Sequence, residues 1–133
     1  MNGATVTIHF DGNGRVYHPG ETLSGEYRLH GLEPDEIKAI EVSVLWHTRG
    51  KGDEDLAVHH FRRLEPDNGG WLAARTTGRF RAVLPNSPLS YQGMIVKIEW
   101  CVRLRVFLSQ GGEVLGEKIF RLGRVASAKA AAS

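Results

Sequence analysis

The alternation of apolar and polar residues from Met94 to Leu108 constrains the fold of this chain more than any other feature of its sequence. One row of alternate positions is apolar: Val96, Ile98, Trp100, Val102, Leu104, Val106 and Leu108. The positions between them include Lys97, Glu99, Cys101, Arg103 and Arg105. Successive side chains of a β-strand point to opposite faces of its sheet. The pattern therefore predicts a long antiparallel strand with one dry face and one solvated face.

Shorter alternating segments recur along the chain, and none of them has the 3.6-residue period of a helix. They are Thr5–Phe10, Thr22–His30, Ile40–Trp46, Leu56–Leu64 (with a mixed face), Phe80–Leu84 and Val114–Leu122. Turn-forming residues such as Asp11-Gly12-Asn13-Gly14 separate them. About eight strands of this kind predict an all-β fold, an immunoglobulin-like sandwich of two antiparallel sheets. The dry row of the long strand is expected to face Val42, Val44 and Trp46 in the core.

Length and composition are those of a small globular domain. Of the 133 residues, we expect 1–124 to form one domain and 125–133 a flexible tail. Cys101 is the single cysteine, which excludes a disulfide within the chain and favours a reducing, cytoplasmic environment. Charged residues interrupt the longest apolar run, so no membrane span is expected.

Three segments resemble the arrestin family. Val16 to Gly25 reads as an apolar residue, a Pro-Gly-Glu turn, an apolar residue, Ser and Gly, which is similar to the early arrestin pattern. Ile40 to Trp46 follows where that family has its next core strand. Phe80 to Pro85, followed by Pro88, Ser90, Gly93 and the strand Ile95–Phe107, resembles the family's aromatic–x–x–x–Leu-Pro motif. The resemblance implies a single arrestin-type β-sandwich with adaptor or scaffold work, in which basic residues sometimes engage phosphorylated segments.

Neither metal binding nor catalysis by a cysteine is favoured by the sequence. His47 and either His59 or His60 flank a loop containing Asp53 and Asp55, but neighbouring strand residues point to opposite faces, so at most one of the pair can join His47. Metal sites need three or four convergent ligands, and surface histidines are the favoured interpretation. A reactive thiol needs a histidine within reach and a pocket, whereas Cys101 lies on the polar row of the long strand between charged residues, which favours packing or plain exposure. We expect no enzyme activity, no metal and no cofactor.

The best functional candidate is a row of cations. Between Arg75 and Arg105, six basic residues stand against Glu99 alone, a net charge of +5. If the two strands involved lie in one region, five cations share one surface: Arg79, Arg81, Lys97, Arg103 and Arg105. Guanidinium groups bind carboxylates and phosphates in a bidentate way. The alternative is that these side chains pair with Glu99, Glu113 and Glu117 on neighbouring strands.

The sequence therefore favours a non-enzymatic protein-binding adaptor or scaffold that uses this basic face to engage acidic or phosphorylated segments of another protein. Nucleic acid is not expected, because no base-stacking aromatic residues are interleaved with the cations. The alternative function is a self-associating structural protein that uses exposed sheet edges. A homodimer is expected, through an edge strand or through Trp71 to Gly78.

Overall fold

The computed structural model describes residues 3–12, 16–50, 52, 54–65 and 76–123. Within these ranges the chain forms nine β-strands and one short 3-10 turn, Pro34–Glu36. The strands are β1 (Thr5–Phe10), β2 (Val16–Tyr17), β3 (Thr22–His30), β4 (Ile37–Gly50), β5 (Leu56–Leu64), β6 (Thr77–Val83), β7 (Tyr91–Gln92), β8 (Val96–Leu108) and β9 (Glu113–Leu122). The predicted tail and most of the Trp71 to Gly78 segment lie outside the described residues. No helix in the described part is long and apolar enough to cross a membrane.

The strands form two sheets packed as a sandwich. The small sheet has the order β1-β3-β6, and the large sheet has the order β2-β9-β8-β4-β5, with β7 pairing to β8. Every pairing is antiparallel except that between β2 and β9. The predicted all-β sandwich of two antiparallel sheets is confirmed.

The dry row of β8 forms the centre of the core. Trp100, Val102, Leu104 and Val106 are fully buried, as the alternation predicts. Toward the ends of the strand the row is drier in sequence than in the structure, because Ile98 and Leu108 are only partly buried and Val96 is 38% exposed. The largest departure is Val96. It pairs with Gly50 at the end of β4, where the neighbouring residue supplies no side chain to pack against.

The residues expected to face this row are in the core, but they do not lie on the opposite sheet. Val42, Val44 and Trp46 lie on β4, in register with Leu104, Val102 and Trp100 of the adjacent strand. The two rows are therefore side by side on the inner face of the large sheet, and the expectation that they face each other is wrong. Alternation predicts which residues point inward, but not which strands are neighbours.

An aromatic cluster joins the two sheets. Phe10 and Phe80 of the small sheet pack edge to face with ring centroids 6.2 Å apart, and Phe10 lies 6.0 Å from Phe120 of the large sheet. Trp100 packs on Phe120 at 5.8 Å, and its indole N–H donates to the carbonyl oxygen of Pro88 at 2.7 Å. Because Phe80 belongs to this cluster, the position of β6 over the large sheet is set by buried packing.

The sheets differ in width. Three strands form the small sheet, whereas the ladder of the large one contains five. β1, at one edge of the small sheet, packs against β9 of the large sheet. The three strands of the small sheet therefore cover the large sheet from β9 toward β4. The far edge strand, β5, extends beyond it. Among the described residues, one stretch of the large sheet's inner face consequently has no strand opposite it.

Candidate functional site

The five cations predicted to form one surface are divided between the two sheets. Arg79 and Arg81 lie on β6 in the small sheet, whereas Lys97, Arg103 and Arg105 lie on β8 in the large sheet. Their neighbours in sequence, Phe80 on β6 and the dry row on β8, point into the core, so both sets point outward. The outer faces of two packed sheets look in opposite directions. The prediction of one contiguous five-cation surface is therefore wrong.

The outer face of the large sheet carries a group of ten charged side chains that form ion pairs with one another. We call it the paired face. Its cations are Arg49, Arg63, Lys97, Arg103 and Arg105, and its carboxylates are Glu41, Glu65, Glu99, Glu113 and Glu117. Five positive and five negative charges leave this group with a net charge of zero.

The three β8 cations have the partners named in the alternative interpretation. Lys97 Nζ lies 3.5 Å from Glu99, Arg105 donates to Glu113 at 2.9 Å, and Arg103 donates to Glu117 on the neighbouring strand. Pairing with a neighbouring strand is thus confirmed for Glu113 and Glu117 on β9, whereas Glu99 lies on β8 itself, two residues from Lys97. The hydrogen bond from Arg105 to Glu113 raises the pKa of that guanidinium, because the bond favours its charged form.

A groove opens where the small sheet ends. It lies between β6, an edge strand of the small sheet, and β5, an edge strand of the large sheet; we call it the β5–β6 groove. Its volume is about 530 Å³. The lining residues are Thr22, Ser24, Arg79, Phe80 and Arg81 from the small sheet and Val42, His60, Arg62 and Leu64 from the large sheet.

Register explains why a cation and a histidine of β5 line this groove. Arg62 pairs with Val42 and His60 pairs with Val44, and paired residues share a face of the sheet. Since both valines are buried in the core, Arg62 and His60 lie on the inner face, where no strand of the small sheet covers them. A charge on the inward-facing row of an edge strand is one way in which proteins discourage unwanted sheet extension.

The arginines of the groove differ in how they are paired. Arg79 contacts Asp11 and lies 3.8 Å from Glu26. In the part of the chain that the structure describes, no carboxylate lies within ion-pair distance of Arg62 or Arg81. The groove therefore concentrates positive charge that nothing described neutralises.

Arg62 also affects a buried phenol. Burial raises the pKa of Tyr27 to about 12, and the nearby cation of Arg62 opposes that shift. At the far end of β6, the His59 imidazole Nε2 lies 2.7 Å from the carbonyl oxygen of Val83. This contact joins β5 to the C-terminal end of β6.

Sequence reasoning missed Arg62. The one sign of it in the sequence was that Arg62 shares a row of alternate positions with the apolar Leu64, along with His60. Neither face of this strand is uniformly apolar. The register of β5 against β4 shifts between Val44 and Leu45, so one row of β5 changes face partway along the strand. That shift hides the inward-facing row from a simple count of alternate positions.

The other candidates do not converge in the structure. His47 lies 3.5 Å from Glu99 on the paired face, whereas His59 contacts Val83 and His60 lines the groove. Among the described residues, which do not include Asp53, no group of three or more His, Cys, Asp or Glu could hold a metal ion. Cys101 is buried, and burial raises the pKa of its thiol to about 12.

Comparisons with known proteins show the fold. No family model matches the chain, and no curated protein matches its sequence. The sporulation control protein Spo0M from Bacillus subtilis superposes with a TM-score of 0.63 and 15% identity, over 93% of this chain and 51% of that one. This chain thus spans about half the length of Spo0M. Superoxide reductase (neelaredoxin) from Ignicoccus hospitalis superposes with a TM-score of 0.52 and 14% identity, over 90% of this chain and 80% of that one. At these identities the likeness extends to the β-sandwich fold alone.

Proposed function

We propose that this domain is a non-enzymatic protein-binding module, and that it holds an acidic or phosphorylated segment of another protein in the β5–β6 groove. The observation that carries the proposal is the contrast in pairing. On the paired face each cation has a carboxylate partner, whereas Arg62 and Arg81 line an open groove without one among the described residues. The resemblance of the sequence to arrestins, whose work is adaptor binding, agrees with this proposal.

The chemistry of the groove favours an anion. A guanidinium presents a planar fork of donors that matches carboxylate and phosphate oxygens, and it remains charged at any physiological pH. Arg62, Arg81 and Arg79 bring three such groups to one groove, with two carboxylates, Asp11 and Glu26, beside Arg79 only. An acidic segment gains charge-assisted hydrogen bonds there without displacing any ion pair that Arg62 or Arg81 forms with a described residue.

The lining favours a peptide over a nucleic acid. Binding of single-stranded nucleic acid relies on aromatic side chains exposed for base stacking. The aromatic residue of this groove, Phe80, is buried in the core cluster and offers no free ring face.

A titration tests the proposal. Fluorescence anisotropy would follow a labelled octaglutamate and a phosphoserine peptide binding to the wild type, to Arg62→Gln/Arg81→Gln and to the matched control Arg103→Gln/Arg105→Gln. The groove variant should lose about tenfold in affinity, which corresponds to roughly 1.4 kcal/mol. The control removes the same number of charges from the paired face and should lose less than about twofold. Circular dichroism melts would verify that all three proteins are folded.

Two results would contradict the proposal. One is equal binding by the wild type and the groove variant, or no binding by either. The other is tighter binding of a single-stranded oligonucleotide than of the peptides, which would assign the groove to nucleic acid.

Self-association is the second candidate function, and one observation favours it. The paired face exposes apolar side chains between its ion pairs: Val58 at 50%, Phe61 and Leu115 at 52% and Ile119 at 56%. Exposed apolar side chains grouped on one face are common at protein interfaces. Sedimentation at high micromolar concentration distinguishes the two functions, because a self-associating protein shows a dimer mass that Phe61→Glu abolishes.

A further inference from the structure

The hydrogen bonds between β3 and β6 show which residues of β6 direct their backbone N–H and C=O groups toward the free edge; we call this alternation the hydrogen-bonding phase of β6. Leu84 N–H donates to the carbonyl of Glu21 at 2.9 Å, and Leu29 N–H donates to the carbonyl of Thr76 at 2.8 Å. The residues at 76 and 84 therefore bond toward β3, and in an antiparallel ladder every second residue shares that direction. The N–H and C=O groups of residues 77, 79, 81 and 83 consequently point the other way, toward β5.

The contact between β5 and the C-terminal end of β6 supports this phase. The carbonyl oxygen of Val83, an odd-numbered residue, lies 2.7 Å from the His59 ring on β5. No strand pairs with this edge of β6 among the described residues. The backbone groups of Thr77, Arg79 and Arg81 thus remain as a row of donors and acceptors along the groove.

We propose that the acidic segment binds as an extended strand on this edge and becomes the fourth strand of the small sheet. This inference rests on the proposed function, and it adds the mode of binding. β6 has seven residues, which span about 20 Å at ~3.3 Å per residue, so the edge accommodates a segment of about five to seven residues. The added strand would lie opposite the part of β5 that the small sheet leaves uncovered.

Side-chain alternation then defines the sequence that fits. Residues of the added strand that lie beside Arg79 and Arg81 point to the outer face with those arginines, where carboxylates form cross-strand ion pairs. Residues between them point inward, beside Phe80 and toward Val42, Arg62 and Leu64 in the groove lining. Among the described lining residues, Arg62 is the one inward arginine, and it accepts at most one inward acidic side chain. The groove therefore favours segments in which acidic residues occupy the outward positions, every second residue, over segments with acidic residues in a block.

The same geometry opposes a second copy as the occupant of this edge. Two β6 edges paired antiparallel about a twofold axis would place Arg79 and Arg81 of one copy beside the same residues of the other. Like charges directly opposite each other destabilise a sheet. An acidic partner is favoured by the charges that disfavour self-pairing.

Two peptides of equal composition test the sequence rule. One is an octapeptide of alternating glutamate and threonine, and the other carries four glutamates followed by four threonines. Strand addition predicts that the wild type binds the alternating peptide at least about fivefold more tightly. In addition, an alternating peptide that is N-methylated at every residue keeps its charges but cannot donate backbone hydrogen bonds, and it should lose about tenfold or more in affinity.

Amide exchange followed by NMR tests the edge itself. On addition of the alternating peptide, exchange at Arg79 and Arg81 should slow at least about tenfold, because their N–H groups point to the free edge. Exchange at Phe80 and Ala82, whose N–H groups already bond toward β3, should change little. If the peptides bind and depend on Arg62 and Arg81, but show neither this protection nor a loss on N-methylation, strand addition is wrong and the proposed function stands. If no peptide binds, both are wrong.

Discussion

The paired face and the β5–β6 groove carry the same residue type on strands of the same domain, yet they differ in how the arginines are neutralised. On the paired face, the register of β8 against β9 places Arg103 directly opposite Glu117. In the groove, Arg62 lies opposite Val42 and Arg81 lies opposite Ser24. Whether a cation is available to a partner thus depends on the residue opposite it in the sheet. The number of cations along the sequence does not decide the matter.

The largest effect on stability is expected from a substitution in the core that underlies both the paired face and the groove. Trp100 is fully buried, packs on Phe120 and lies on the strand that carries the paired face. Trp100→Ala should lower the free energy of unfolding by about 3–5 kcal/mol, as expected for emptying a large aromatic side chain from a core. Urea unfolding followed by fluorescence or circular dichroism measures this. A loss below about 1 kcal/mol would show that the two surfaces do not share one core.

Alkaline pH should ionise one buried group near the paired face and one near the groove. Burial raises the pKa of Cys101, on the paired-face side of β8, from 9.0 to about 12, and that of Tyr27, beside the groove, from 10.0 to about 12. The unfolded chain therefore loses these protons first. The stabilisation is complete below about pH 9 and is lost as pH rises toward 12.

The measurement is the urea midpoint between pH 7 and 11. We expect the free energy of unfolding to fall by on the order of 2 kcal/mol from these two groups. Cys101→Ala should show a smaller fall over the same range. Rapid alkylation of the native Cys101 thiol at pH 8 would contradict the burial on which the prediction rests.

Salt should distinguish the two surfaces. Raising NaCl from 50 to 500 mM should weaken octaglutamate binding about tenfold, because exposed charge contacts are screened over a few ångströms at the higher concentration. The free energy of unfolding should change by less than about 0.5 kcal/mol, since exposed ion pairs such as those of the paired face contribute little to stability. Salt-insensitive binding would indicate that the groove does not recognise charge.

The smallest effect on stability is expected from opening the paired face. Glu113→Gln/Glu117→Gln removes carboxylate partners of Arg105 and Arg103 and should cost under about 1 kcal/mol per pair. Placed in the Arg62→Gln/Arg81→Gln background, the same change should restore measurable, salt-sensitive octaglutamate binding. Anisotropy titration measures the gain. If binding is not restored, something other than pairing makes the groove different.

Local features of this fold were predictable from the sequence. β1 and β3 have the bounds that alternation predicts, and the inward row of β8 is correct from Trp100 to Val106. These features concern a single strand: where it begins and ends, and which of its faces is buried. Both follow from the alternation of consecutive residues.

Features that depend on distant pairing were not predictable. Alternation placed Arg79 and Arg103 on solvated faces, but it carries no information on which sheet each strand joins. The register shift of β5 beside Val44 is set by pairing with β4, so the inward position of Arg62 appears only in the folded sheet. Of the five cations predicted from the sequence, Arg79 and Arg81 line the groove, whereas Arg62, on which the proposed function also rests, was not predicted.

Under the proposed function, the unequal widths of the two sheets would affect the abundance of the protein. A ligand that fills the uncovered stretch opposite β5 binds the folded state and not the unfolded one, so it raises the free energy of unfolding by mass action. At a concentration of one hundred times its dissociation constant, that increase is about 2.7 kcal/mol. A domain with one narrow sheet would then be degraded more slowly when its partner is present than when it is absent, and its level in the cell would report on the supply of that partner.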